Sequence, residues 1–83
     1  MKINVNEQAA RIRKAQVVGE ILASAKDAAE RGVNNFIYQF KAGERNSFPA
    51  PYLNITVEEE SEGTVKCAYR GDHGDWCKYV IVR

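Results

Sequence analysis

Cys67, His73 and Cys77 are the residues whose types come nearest to chemistry, with Asp72 and Asp75 flanking the histidine. Two thiolates and an imidazole are soft donors of the kind that hold zinc. A structural zinc site takes four ligands, however, and the chain offers no Cys-x-x-Cys pair to supply them. The period-two pattern around Cys67 and Cys77 also turns both thiols toward the interior, away from the turn that carries His73. A Cys67–Cys77 disulfide fits no better, because the strand register sets the two cysteines diagonally rather than face to face. As a general base, His73 would need a nucleophile or a substrate pocket beside it, and a tight acidic turn provides neither. The expectation is no metal, no cofactor and no catalytic residue, in a chain that is not an enzyme.

Two charge groupings carry more weight. Glu58, Glu59, Glu60 and Glu62 form an acidic patch, which reads first as a solvated strand end and second as a surface for a basic partner. Lys66, Arg70, Trp76, Lys78 and Val80 fall together on one side of the last hairpin, with Val82 beyond them. The expected register sets Arg70 across from Trp76 in cation–π geometry, Lys66 across from Val80 and Ala68 across from Lys78. A cationic surface with one tryptophan and two valines reads as a binding face. The competing reading is that the Lys and Arg stems shield the apolar groups from water.

The element expected to organise these residues is one long amphipathic helix, about 6–31. Asn6, or Asn4 with Glu7 as a capping box, suits its start. Ala9, Ile12, Ala15, Val18, Leu22, Ala25 and Ala29 form an apolar stripe that Val17, Ile21 and Ala28 widen. Gly32 stands where a left-handed residue would close the helix in a Schellman cap, with Val33 near Ala28. At 1.5 Å per residue the helix runs to about 37 Å, longer than so small a body covers. Either its first turns overhang, exposing Arg11, Arg13 and Lys14, or Gly19 marks a bend.

The remaining chain reads as strands. Phe36 to Phe40 predicts a first strand, about 34–41, with a short helix as the alternative. The breakers Gly43, Asn46, Ser47, Pro49 and Pro51 predict a loop over 42–51, where Phe48 is either a plug or a contact. Alternation then predicts strands at about 52–59, 64–70 and 75–82. The three-residue turns Ser61-Glu62-Gly63 and Asp72-His73-Gly74 would connect them, each ending on a left-handed glycine. Val57 would face Cys67, and Cys67 would face Tyr79. The expected fold is α+β: one N-terminal helix on a four-stranded antiparallel sheet, in the order α-β-β-β-β. The sheet's inner side would carry Leu53, Ile55, Val57, Val65, Cys67, Tyr69, Tyr79 and Ile81.

Size and charge bound the roles. Eighty-three residues suit a single domain, 1–83, with one core. Twelve basic and eleven acidic side chains leave a formal charge of +1, which argues against attachment to nucleic acid or membrane by bulk charge alone. The opening Met1 to Asn6 lacks the apolar run of a signal peptide, so the expected place is the cytoplasm, with thiols reduced.

The run Ala25, Ala28, Ala29, Arg31, Gly32 leading into an aromatic strand, with Tyr79-Val80-Ile81-Val82-Arg83 at the end, resembles several small uncharacterised phage-encoded proteins. The resemblance implies an accessory protein that binds and modulates a host factor. The functional expectation is thus a protein-interaction module, an inhibitor or modulator, that meets its partner through Lys66, Arg70, Trp76, Lys78 and Val80. The alternative is a single-stranded nucleic-acid-binding domain. Bases would stack on Trp76 and Tyr52, while Arg11, Arg13, Lys66, Arg70 and Lys78 meet phosphates. Self-association into a homodimer through Val80, Val82 and the overhanging helix is compatible with either.

Overall fold

The computed structural model describes residues 5–41, 50–71 and 75–82, with the backbone alone at 5–7, 10 and 50–52. Its elements are α1 (Val5–Glu30), β1 (Asn35–Gln39), α2 (Ala50–Glu60), β2 (Val65–Arg70) and β3 (Trp76–Ile81). The fold is α+β, with a long first helix and a three-stranded antiparallel sheet ordered β1-β3-β2. The side chains of the proposed capping residues Asn4, Asn6 and Glu7, the loop with Phe48 and the turn Asp72-His73-Gly74 lie outside the described residues.

Helix α1 ends as its sequence dictates. Gly32 adopts φ +75°, the Val33 amide donates to Ala28 O at 2.8 Å, and the Gly32 amide to Ala29 O at 3.0 Å. Those two bonds are the Schellman motif. Only the second half of the helix reaches the core: Val17, Val18, Ile21, Ala25 and Ala28 are buried, while Ile12 is 54% exposed. Ala9 and Ala15 are exposed too, and Leu22 and Ala29 are half-buried, so the apolar stripe expected from Ala9 onward is corrected at its N-terminal end. The helix passes through Gly19 without interruption. At 26 residues it spans about 39 Å. Of the three cations expected to stand clear of the body, Arg11 is exposed while Arg13 and Lys14 are half-buried, and Arg11 and Lys14 line a shallow cleft with Thr56 and Glu60 of α2.

The segment expected as a strand at 52–59 is a helix, and this is the main correction. Leu53 and Val57 are wholly buried, whereas Ile55 between them is 50% exposed. A spacing of four belongs to both a strand and a helix face, so those two residues do not discriminate; Ile55 does. Pro51 in the first helical turn loses no hydrogen bond, and Glu58 to Glu60 are helix formers that outweigh the β-branched Ile55-Thr56-Val57. The left-handed glycine expected at Gly63 is present at φ +80°, but it closes α2 instead of a hairpin. Its amide donates to Glu58 O at 2.8 Å and that of Glu62, itself at φ +56°, to Glu59 O at 3.1 Å. Ser61 Oγ then accepts from the Val65 amide at 3.0 Å, which launches β2.

With α2 outside the sheet, the sheet has three strands rather than four among the described residues. The last strand, β3, becomes the central one. Phe36 is paired with Tyr79 and Tyr38 with Cys77 on one side; Val65 is paired with Ile81 and Cys67 with Tyr79 on the other. Cys77 and Tyr79 are buried under both helices with Leu53, Val57, Ile21 and Phe40. The Tyr79 hydroxyl, carried inward by this packing, donates to Asn54 Oδ1 at 2.8 Å and ties the central strand to α2. Tyr38 likewise donates to Glu20 on α1. Both helices therefore sit on one side of the sheet.

Candidate interaction surface

The other side of the sheet is built by register. Residues directly opposite in an antiparallel pair share a face, so Asn35 and Lys66 flank Val80, Ile37 and Tyr69 flank Lys78, and Gln39 lies beside Trp76. No described helix covers this face. Ile37 is 58% and Tyr69 55% exposed, while Trp76 and Val80 are half-buried. The described residues that form it include two lysines and no carboxylate.

Of the residues expected to bind a partner, Lys66, Trp76, Lys78 and Val80 share this face and Arg70 does not. The pairing Lys66–Val80 and Cys67–Tyr79 is as expected, but a β-bulge at Ala68 shifts everything after it. Tyr69, not Ala68, stands opposite Lys78, and Arg70 stands opposite Cys77. A bulge residue reverses the alternation, so Arg70 leaves the outer face and Tyr69, expected in the core, joins it. The Arg70–Trp76 cation–π pair is therefore corrected to an aromatic pair: the Tyr69 and Trp76 rings lie 5.6 Å apart, tilted by 35°.

Trp76 is seated by a glycine. The Gly71 amide donates to Trp76 O at 3.0 Å, and a Cβ at residue 71 would fall 2.5 Å from the indole Nε1. The ring thus lies flat over a position that only a missing side chain leaves open. Sequence reasoning missed Ile37 and Tyr69. Gly71 near Trp76 on adjoining strands was the one readable cue, since an aromatic lying over a strand glycine is a recurrent pairing.

The charges are distributed differently from expectation. Lys66 Nζ lies 3.9 Å from Glu58 Oε1, with both side chains about half exposed, so one carboxylate of the acidic run on α2 stands near one of the face's two described lysines. Arg13 lies on α1, 3.3 Å from Gln16 Oε1 and 3.8 Å from Glu20 Oε1. Arg11 and Arg13 are thus on the helical layer, and the basic set proposed for phosphates is not gathered on one surface. Tyr52's side chain and His73 are outside the described residues. Cys67 and Cys77 lie on the inner side and are not joined in a disulfide. Among the described residues no group of three His, Cys, Asp or Glu is placed to hold a metal ion, and no helix is long and apolar enough to cross a membrane. No protein-family model matches the chain, and comparison with curated proteins and with solved structures finds no match.

Proposed function

We propose that the protein is a non-enzymatic interaction module that binds a partner protein on the uncovered sheet face, acting in the cytoplasm. One observation carries the reading: Ile37, Tyr69, Trp76 and Val80 lie together on a face that neither helix covers. An exposed isoleucine and tyrosine beside a half-buried tryptophan and valine, rimmed by lysines, have the composition of a protein contact rather than of ordinary surface. Tyrosine and tryptophan supply the buried area of such contacts, and Lys78 and Lys66 favour a partner with carboxylates at its rim. The resemblance to small phage-encoded proteins adds that the partner is a host protein whose activity is inhibited or modulated.

The test is capture from the lysate of the native cell with tagged protein, with and without nuclease. A Tyr69→Ala/Lys78→Glu variant, changed only at exposed side chains, serves as the control. A specific protein that survives nuclease and is lost with the variant supports the reading; its binding can then be followed by the emission of Trp76, the single tryptophan. Capture abolished by nuclease would instead favour single-stranded nucleic acid. An identical captured set from both proteins would reject the face altogether.

A further inference from the structure

The two outer edges of the sheet are not equivalent. Edge strand β2 carries Lys66 and Arg70 and is broken by the bulge at Ala68, the devices by which natural sheets keep an edge from pairing with another chain. Edge strand β1 has none of them. Asn35-Phe36-Ile37-Tyr38-Gln39 contains no charge and no proline, and it pairs with β3 in unbroken register.

The ladder fixes which groups face outward. The Ile81 amide donates to Asn34 O and the Phe40 amide to Asp75 O, both at 2.8 Å. Hydrogen-bonded pairs in an antiparallel ladder recur at every second residue. The bonds to β3 therefore fall on Asn34, Phe36, Tyr38 and Phe40. The amides and carbonyls of Asn35, Ile37 and Gln39 point to the open side, where no described strand lies.

We propose that this edge pairs with β1 of a second copy, antiparallel about a twofold axis at Ile37, to make one six-stranded sheet. The strand is self-complementary in that register. Ile37 meets Ile37 of the second copy, and Asn35 meets its Gln39, so the three outward-pointing residues form about six main-chain bonds. On the outer face the pair buries the exposed isoleucines and matches amide with amide. On the helical side Phe36 meets the second copy's Tyr38 at the closer, non-hydrogen-bonded positions. Both rings are half-buried in one chain, and aromatic pairs are favourable there. The inference rests on the edge and not on the binding face, though pairing would place two copies of that face on one continuous surface.

Sedimentation equilibrium from micromolar to millimolar protein tests it, with Ile37→Lys, Ile37→Glu and their equimolar mixture. The expected result is a dimer for the native chain and a dissociation constant at least about tenfold higher for each variant alone, because like charges stand opposite each other. The mixture should recover the dimer. If an Ile37 variant loses its far-UV circular dichroism, Asn35→Lys/Gln39→Lys, which sets like charges across the same seam at exposed positions, decides instead. A native chain that stays monomeric throughout, a dimer indifferent to these substitutions, or an assembly that grows without closing would each overturn the proposal. So would an edge that captures a strand of another protein in place of its own copy.

Discussion

Gly71→Ala probes the seat of Trp76 and with it the geometry of the proposed face. A Cβ built at residue 71 lies 2.5 Å from Nε1, 2.7 Å from Cε2 and 2.8 Å from Cδ1 of the indole. Ordinary carbon contacts lie near 3.5–4.0 Å, so the ring must retreat by about 1 Å or swing outward and leave Tyr69. Gly71 is buried and is not among the glycines with positive φ, so the backbone itself accepts alanine. Two effects then compete. Gly→Ala at a compatible backbone stabilises by about 0.4–1 kcal/mol through the unfolded chain, whereas forcing an extra carbon into filled space costs about 1–3 kcal/mol. Every one of the three nearest atoms belongs to a rigid ring, so the steric cost should win. Urea unfolding followed by Trp76 emission should show a net loss of about 1–2 kcal/mol and an emission shift in the folded state. Repeating the substitution in a Trp76→Leu background removes the obstacle and should make it neutral or stabilising. A neutral Gly71→Ala with unchanged emission would show that the indole does not lie over residue 71.

The exposure of Ile12 on α1 and the helical state of α2 give two further tests by urea denaturation. Ile12→Ala should change stability by less than about 0.5 kcal/mol, as exposed positions do, while Ile21→Ala at the wholly buried position should cost about 2–5 kcal/mol; equal effects would mean that the first turns are packed. Ile55→Lys should likewise stay within about 0.5 kcal/mol, because Ile55 is half exposed on a helix. The strand alternative puts Ile55 in the core, where a lysine would abolish folding.

What the sequence made legible follows from how many physical constraints met at each element. The close of α1 was readable because the helical stripe, a glycine and a following apolar residue all fall where one motif needs them. The hairpin of β2 and β3 was readable as far as Cys67 opposite Tyr79, because both inner faces alternate cleanly up to that point. In α2 the constraints diverged. Leu53 and Val57 fit either period, and the local preference of Ile55-Thr56-Val57 is for a strand. What decides is tertiary: β3 presents Cys77 and Tyr79 to a layer that the second half of α1 covers only in part, and a second helix completes it. Long-range demand of that kind leaves no local mark. The bulge left none either, since Ala68 is a residue that any strand tolerates.

That single extra residue has consequences for both proposals. Without it, Arg70 would stand on the outer face and Tyr69 beneath the sheet. With it, the face gives up a permanent cation for an aromatic ring tilted against Trp76, and one of its two described lysines already leans toward Glu58. Recognition built this way draws more on apolar area than on charge, so it should respond only weakly to salt, whereas contact with phosphates weakens steeply as salt rises. The same bulge spoils the β2 edge for pairing. It leaves β1, regular and uncharged, as the edge on which no described strand lies.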